Sequence, residues 1–349
     1  MYDSLYEPFL DDVEVVVHAD HPTLNRRVAE LLAVGERIDV LSTHGKYAPS
    51  QAAWLRPLDD LLEPSVIAAL APRAVALCQF HGALLCAPRT IDVRTLWWRT
   101  DRLAAAPDTW SELIASDAVF GFTGRESGLF GLFFELVVGS GGALFDGEGR
   151  PTMTSAEAED AVTKLCEMAR RAPADLPSWH YDDVDRALLD GIVDCAAAWP
   201  GGFGAMRASD LYEVLAPAPY LAGTIARVSY SGCHGWAIPT TCENVEAAVD
   251  LVTRLCSVEM HELEAAAGGV PARTDVLAAA TPIDATDAAR LAIIRDTIEH
   301  GMITYPPLVR FPEVEDAGWG AINAALRNEV SPADAVARIQ QAAESVLAG

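Results

Sequence analysis

The residues of this sequence that could bind or transform a ligand are polar side chains that follow apolar segments. None of them forms a recognisable pair of a nucleophile and a base. Gly232-Cys233-His234-Gly235 sets a thiol beside an imidazole. Adjacent residues of a strand point to opposite faces, so these two groups would not pair. The sequence has no GxSxG, Walker A or GxGxxG motif, no CxxC pair and no histidine cluster with zinc spacing. We therefore predict no catalytic residue, no metal site and no cofactor.

One polar segment follows a predicted strand near the N-terminus. The pattern predicts a buried strand at Val13–Val17, a helix at Thr23–Val34 and a second strand from Arg37. Strand, helix and strand at this spacing are typical of a βαβ unit with parallel strands. Ligands of such sheets lie beyond the carboxyl ends of the strands. This indicates the next segment as a binding loop, with the candidates Thr43, His44, Lys46 and Tyr47.

A second polar segment follows a predicted strand at 84–87, which we expect to stop at Pro88. Its candidates for ligand binding are Arg89 and Asp92. His234, on the later strand predicted at 229–239, is a further candidate.

Eight tryptophans are many for this length, and most are expected in the core. Trp199 precedes Pro-Gly-Gly and Trp319 follows Ala-Gly, so their neighbours are too small to cover the indole. An open indole face can stack on the apolar face of a sugar ring, while carboxylates and amides bind its hydroxyls. Trp199, Trp319 and the close-approach position Gly201 are therefore candidates for a pocket.

The composition excludes some classes of function. The chain has 349 residues, a formal net charge of −25 and 51% hydrophobic residues, which suits two domains with real cores. The acidic balance repels phosphate backbones, so we expect no nucleic-acid partner. The seven cysteines sit in apolar or small-residue segments and are predicted to be buried free thiols. An odd number of cysteines mildly favours a reducing compartment.

A helix in the middle of the chain organises the elements around it. Leu129 to Val138 is nearly all Leu, Phe and Val, which predicts a helix buried on every side. Gly141-Gly142 should end it, and Asp146 to Gly149 should form a tight turn. Thr154 or Ser155 should cap the next helix, with acids in its first turn. Earlier in the chain, Asp108 or Thr109 should cap a helix that begins near Trp110.

This order resembles the carbohydrate-binding group of the extracellular solute-binding proteins of ABC importers (family 1). The likeness covers nearly the whole chain. It rests on GALLCAPRTIDVRTLWWRTD at 82–101, on Pro107-x-Thr109-Trp110-x-Glu112-Leu113, on the segment from Gly121 to Met168, on GWAIP at 235–239 and on the closing helices from Ala317. Three features depart from the family pattern. Thr43 is small where maltose binders carry an aromatic residue, Trp98-Arg99 stands where the family has Tyr-Asn, and the family's first strand has no counterpart.

The resemblance implies an α/β, type II periplasmic-binding-protein-like fold of two lobes, with a hinge and a ligand cleft between them. We expect the N-terminal lobe at 1–97 and 233–285, and the C-terminal lobe at 98–232 and 286–349. The implied site has Asp92 as an acidic sugar ligand, Thr43, Lys46 and Tyr47 in the first-lobe loop, Arg125, Glu126 and Ser127 in the second-lobe loop, Trp199 and Gly201 near a stacking position, and Trp319 as a second stacking residue.

The implied function is reversible binding of a small carbohydrate, polyol or glycoside by a monomer that is not an enzyme. Its implied partners are the membrane-spanning permease subunits of an ABC transporter, and its implied location is extracytoplasmic. The first residues carry no basic region or cleavage site of a signal peptide, so a cytoplasmic location stays open. The alternative is a cytoplasmic protein of the same fold that acts as an enzyme or a ligand sensor.

Overall fold

A computed structural model describes residues 3–19 and 21–348. The helices are α1 (Asp3–Tyr6), α2 (His21–Ala33), α3 (Ala48–Gln51), α4 (Pro64–Ala68), α5 (Pro72–Leu77), α6 (Trp110–Ala115), α7 (Glu126–Gly139), α8 (Ala156–Ala169), α9 (Tyr181–Leu189), α10 (Phe203–Ala208), α11 (Val245–Leu255), α12 (Val258–Ala266), α13 (Thr274–Ala279), α14 (Ala285–Asp296), α15 (Phe311–Leu326) and α16 (Pro332–Ala348). The strands are β1 (Leu41–His44), β2 (Gln79–Phe80), β3 (Ala83–Leu84), β4 (Ala87–Asp92), β5 (Thr95–Arg99), β6 (Phe120–Gly121), β7 (Cys195–Ala198), β8 (Leu215–Ala218), β9 (Ser229–Tyr230), β10 (Gly232–Ala237) and β11 (Met302–Ile303). Among the described residues, no helix combines the length and the apolar character needed to cross a bilayer.

The chain forms two compact units, each assembled from separate segments. The first unit contains residues 1–92, 232–280 and 306–309, and the second contains residues 93–231, 281–305 and 310–349. The chain therefore passes from one unit to the other at the end of β4 and again at the start of β10. The lobe boundaries expected from the sequence stay a prediction.

The sheet of the first unit has the order β1-β10-β4, and both of its pairings are antiparallel. The parallel βαβ sheet expected near the N-terminus is therefore wrong. The central strand, β10, comes from far along the sequence and runs opposite to both neighbours. A local pattern of strand and helix cannot show that a distant strand is inserted between two early ones.

The expected strand at Val13–Val17 is also wrong. These residues have no regular structure, and the side chains of Val15 and Val16 are 58% and 59% exposed. Valine favours strands only where a neighbouring strand and a packed face are present. No strand pairs with this segment in the described part of the chain.

Pro88 lies inside β4 rather than at the end of a strand. Its partner in β10 is Gly235, and the pairing register shifts between His234 and Gly235. Proline lacks the amide hydrogen that a regular ladder needs, but a bulge tolerates it. The strand thus continues through Pro88 to Asp92, which lies at its last position.

Within the first unit, the N-terminal segment packs on helices α11 and α12 through Tyr6 and Phe9. These rings form a buried apolar cluster with Leu251 and Leu255 of α11 and Met260 of α12. The hydroxyl of Tyr6 also donates a hydrogen bond to the carboxylate of Glu264 on α12.

The sheet of the second unit has the order β6-β7-β5-β8, with β5 antiparallel to both of its neighbours and β6 parallel to β7. Helix α7 is buried along nearly its whole length, which confirms the prediction for Leu129 to Val138. The ring of Phe130 on α7 lies in the space that a side chain at Gly318 of α15 would fill. The helices α7 and α15 therefore pack closely at this point.

The predicted helix ends are confirmed in the second unit. Ser155 caps α8 by accepting from the amide of Ala158, and Thr109 caps α6 by accepting from the amide of Glu112. Gly141 follows α7 with φ +91°, a conformation that glycine adopts at low cost. All seven cysteines lie among the described residues, and all are buried and free, as predicted.

Candidate functional site

Three predicted site residues meet on the sheet of the first unit: His44 at the end of β1, Asp92 at the end of β4 and His234 on β10. We name them the His–Asp–His cluster. Their nitrogen and oxygen ligand atoms lie within 4.8 Å of one another. The imidazoles of His44 and His234 are 5.0 Å apart between ring centroids, and His234 Nε2 lies 3.4 Å from Asp92 Oδ2. The structure therefore brings together residues from three separate parts of the sequence.

The side chain of Asp92 is largely shielded from solvent. Burial raises the pKa of Asp92 to about 7, and the nearby guanidinium of Arg89 opposes the shift. Arg89 itself pairs with the fully buried Glu264, Nε to Oε1 at 3.0 Å, and its guanidinium carbon lies 5.2 Å from the ring centroids of Tyr6 and Trp236. The predicted ligand residue Arg89 is thus occupied by a buried ion pair and two aromatic rings.

The loop after β1 places its predicted residues differently. Thr43 is 1% exposed and donates its hydroxyl to Gln51 Oε1 at 2.7 Å. Little of Thr43 is available to a ligand. Lys46 and Tyr47 are half-buried, and the Lys46 ammonium lies 4.9 Å from the centroid of the Tyr47 ring. The amide of Lys46 donates to Nδ1 of His44 at 3.2 Å and so orients that imidazole.

The second unit contains an aromatic group centred on Trp199, which is half-buried. The rings of Tyr181 and Tyr230 meet it edge-on, each with a centroid distance of 6.2 Å. The guanidinium carbon of Arg94 lies 4.7 Å from the Trp199 ring centroid. A buried cation against the indole fixes the position of the ring.

Arg94 is held by Glu135 of the buried helix α7. The two side chains pair at 3.2 Å, and Glu135 is fully buried. Glu135 also accepts from the hydroxyl of Tyr220 at 2.9 Å and from the amide of Tyr230 at 2.7 Å. Burial raises the pKa of Glu135 to about 7, with Arg94 opposing the shift. This network positions Arg94 and Tyr230 beside Trp199.

The loop before α7 and the first turn of that helix carry the predicted residues Arg125, Glu126 and Ser127. Glu126 pairs with Arg125 at 2.9 Å and with His180 Nε2 at 3.0 Å. Ser127 Oγ lies 3.0 Å from the hydroxyl of Tyr181, which links this loop to the aromatic group. Nε of Arg125 is buried and has no hydrogen-bond partner within the described chain.

Glu126 has φ +57°, a left-handed conformation that is rare for a residue other than glycine. Strain of this kind persists where the surroundings impose it, often at functional sites. Here the contacts with Arg125 and His180 hold the side chain, and Asn323 of α15 holds the loop. The side-chain amide of Asn323 donates to the carbonyls of Gly124 and Pro177 at 2.6 and 2.7 Å.

The remaining predicted residues of the second unit lie on α15 and in the turn before α10. Trp319 is half-buried and donates from Nε1 to Asp316 at 3.4 Å. Gly201 lies in the turn Pro200–Gly202, and the carboxylate of Asp185 on α9 occupies the space beside Gly202. Burial raises the pKa of Asp185 to about 7. Asp185 is a candidate that the sequence did not reveal.

Known structures with this arrangement are similar over nearly the entire chain. Maltose-bound MalE3 of T. maritima superposes with a TM-score of 0.87 at 22% identity, over 98% of this chain and 95% of that one. An ABC transporter solute-binding protein of Agrobacterium radiobacter K84 in complex with ribitol gives a TM-score of 0.86 at 18% identity, over 98% and 94% of the two chains. The predicted type II periplasmic-binding-protein-like α/β fold is confirmed.

Residues 30–259, more than half of the chain, match the family described as bacterial extracellular solute-binding proteins, and the chain belongs to this family. A relative in Sinorhizobium fredii, the probable amino-acid ABC transporter periplasmic-binding protein y4oP, is 23% identical over 256 residues. That match covers 70% of this chain and 58% of the relative's length. The family predicted from the sequence is confirmed.

Several residues that contact Trp199 or the loop around Glu126 in the second unit were not predicted from the sequence. They are Arg94, His180, Tyr181, Tyr230 and Asn323. Nothing in their local sequence distinguishes them from core or surface residues. The acidic first turn of α9, Asp182-Asp183, indicates a helix start beside His180 and Tyr181 but not their contacts with Glu126 and Ser127. The contacts arise only when distant segments fold together.

Proposed function

We propose that this protein binds a small neutral carbohydrate or polyol reversibly and presents it to the permease of an ABC importer. Membership of the solute-binding family supports reversible binding of a solute. The half-buried Trp199, with the Arg94 guanidinium against its ring, is the observation that favours a carbohydrate or polyol. An indole fixed on one side suits the apolar face of a sugar ring. The names of two structural relatives, bound to maltose and to ribitol, are in keeping with this choice.

The polar groups near these rings suit hydroxyl groups. The second unit offers the exposed parts of Arg125, Glu126 and Ser127. The first unit offers Asp92 and His234, whose side chains are 22% and 29% exposed. Each of these groups donates or accepts hydrogen bonds, and a neutral polyol presents both donors and acceptors. Each unit thus supplies a candidate ligand-binding surface.

We infer that the solute leaves chemically unaltered. Cys233 is fully buried beside the half-buried His234, and strand alternation sends their side chains to opposite faces. This thiol and this imidazole therefore do not form a nucleophile and base. The family and fold support transport rather than the alternative of a cytoplasmic enzyme or sensor.

The partner and the location belong to the same proposal. The family is one of extracellular solute-binding proteins, which supports an extracytoplasmic monomer that meets the membrane-spanning permease subunits. The y4oP relative is named as a probable amino-acid ABC transporter protein. Amino acids are therefore the alternative to carbohydrates as the class of ligand.

A thermal-shift panel tests the proposal. The full chain is heated with maltose, ribitol, other mono- and disaccharides, and the common amino acids, each at millimolar concentration. A ligand at 100 times its Kd stabilises the folded state by about 2.7 kcal/mol, which raises Tm by a few degrees for a chain of this size. A shift with a sugar or polyol supports the proposal. A shift with amino acids alone overturns the ligand class, and no shift with any member overturns solute capture of these classes.

A further inference from the structure

We propose that the His–Asp–His cluster of the first unit is a binding site for a divalent transition-metal ion of the Zn²⁺ type. The proposal stands on the geometry of one sheet and does not rest on the proposed function. Its ligands would be nitrogen atoms of His44 and His234 and a carboxylate oxygen of Asp92.

The register of the sheet places all three side chains on one face. His44 of β1 is the direct partner of His234 of β10, and Asp92 of β4 is the direct partner of Gly232 of β10. Direct partners in an antiparallel pair point to the same side. Positions 232 and 234 of one strand also share a face, because side chains alternate. The bulge is in β4, at Arg89, so the pairing from Gly232 to His234 opposite Asp92 to Thr90 stays regular.

Gly232 opens the path between the ligands. Nε2 of His44 lies 1.9 Å from the position that a β-carbon at Gly232 would take, so the imidazole covers this glycine. Because Asp92 is the partner of Gly232, the ring extends from β1 across β10 toward that carboxylate. Any larger residue at 232 would separate His44 from Asp92.

The distances are close to those of a metal site. The three ligand atoms lie within 4.8 Å of one another, and His234 Nε2 lies 3.4 Å from Asp92 Oδ2. Bonds of about 2.0–2.1 Å in a tetrahedron separate the ligand atoms by about 3.3 Å. The cluster therefore needs an inward movement of about 1 Å or less at each side chain, which side-chain rotation supplies.

The donor set selects the kind of ion. Two imidazoles and one carboxylate suit Zn²⁺, Ni²⁺, Co²⁺ or Cu²⁺, whereas Mg²⁺ and Ca²⁺ prefer oxygen ligands alone. Three protein ligands leave a fourth position for water or for an oxygen of a solute. The positive charge of Arg89, which lies near Asp92, is already balanced by Glu264.

The ring proton of His44 must move when an ion binds through Nε2. Nδ1 accepts the amide hydrogen of Lys46 at 3.2 Å, so in the neutral metal-free ring the proton is on Nε2. Metal binding at Nε2 transfers this proton through solvent to Nδ1, and the hydrogen bond from Lys46 ends. The imidazole stays neutral, no redox step occurs, and the amide of Lys46 becomes a reporter of metal binding.

The test uses the untagged full chain, stripped of metal with a chelator, and titrates it with ZnCl₂ and NiCl₂ by calorimetry. His44→Gln, Asp92→Asn and His234→Gln are compared with His300→Gln, which changes an exposed histidine outside the cluster. We expect each cluster variant to weaken Zn²⁺ binding at least tenfold and His300→Gln to leave it unchanged. Thermal unfolding in chelator shows which variants are folded, and the half-exposed His234 and Asp92 carry the test if His44→Gln does not fold.

A Zn²⁺-dependent shift of the Lys46 amide resonance, absent in His234→Gln, supports the assigned geometry. Equal Zn²⁺ affinity in the wild type and the cluster variants overturns the proposal, as does absence of binding at micromolar ion. The sugar panel is run in chelator, so a negative metal result and a negative sugar result are distinguishable.

Discussion

The imidazole of His44 lies directly against the α-carbon of Gly232, in the space that a side chain at position 232 would occupy. This contact sets the shape of the first unit's polar cluster, because it lets a residue of β1 reach across β10 toward Asp92 of β4. One glycine without a side chain thus determines which polar groups meet.

Replacement of Gly232 should therefore displace His44. In Gly232→Ala, a β-carbon 1.9 Å from Nε2 forces the ring or the strand to move. We expect a loss of about 1–3 kcal/mol in the free energy of unfolding, as for other overpacked sites, together with weaker binding of Zn²⁺. Urea denaturation measures the first and calorimetry the second. Gly147→Ala is the matched control, since nothing lies within 4 Å of its added carbon, and a wild-type-like Gly232→Ala would contradict the contact.

The strain at Glu126 can be measured by comparing two substitutions. Both Glu126→Gly and Glu126→Ala remove the side-chain contacts with Arg125 and His180, but only glycine accepts φ +57° without steric cost. We expect the glycine variant to be about 1 kcal/mol more stable than the alanine variant. Urea unfolding of the two variants measures this difference. An alanine variant at least as stable as the glycine variant would show that the backbone is relaxed here.

His261 on α12 makes stability depend on pH. It is fully buried, and burial lowers its pKa to about 4, against about 6.5 in the unfolded chain. Below pH 6.5 the unfolded chain takes up a proton that the folded chain does not, so stability falls as pH drops from 6.5 toward 4. By pH 5 this contribution is on the order of 2 kcal/mol.

Urea unfolding at pH 7.5 and pH 5 in the wild type and in His261→Phe isolates this contribution. The variant should lose less stability between the two values than the wild type does. The exposed His300→Gln provides the control for removing a histidine. The same pH dependence in His261→Phe and in the wild type would rule out His261 as its source.

Trp199 and Trp319 are predicted to contact the solute. Trp199→Ala should raise the Kd of the best sugar or polyol about tenfold or more, because a central aromatic anchor is lost, while Trp199→Phe should retain part of the affinity. Trp319→Ala should weaken binding of the same ligand without unfolding the protein. Calorimetry gives the affinities and circular dichroism the fold. Unchanged affinity in either alanine variant removes that tryptophan from the site.

Local sequence was sufficient where a residue's role depends on its near neighbours. The continuous apolar segment from Leu129 to Val138 predicted a buried helix, and Ser155 and Thr109 were among the residues predicted to cap helices. The order of such segments was enough to identify the family. These features depend on helical periodicity and on the hydrogen-bonding needs of helix ends, both of which are local.

Features that depend on distant segments were not predicted. The valines at 13–17 looked like a strand, but no strand lies beside them in the described part of the molecule. Pro88 looked like a strand end, but a bulge in its own strand, at Arg89, accommodates it. Nothing in the local pattern indicates that β10 lies between β1 and β4, or that His44, Asp92 and His234 meet. Spacing along the chain cannot reveal a metal-type cluster whose members come from three strands.

The central claim is that a small neutral polyhydroxyl compound binds and leaves unchanged. The most direct measurement is calorimetric titration of the wild-type chain with the best sugar or polyol of the panel, followed by release of the bound compound and its analysis by mass spectrometry. The account predicts saturable binding and recovery of the intact compound. No saturable binding to any sugar or polyol, or recovery of a chemically changed product, would contradict it.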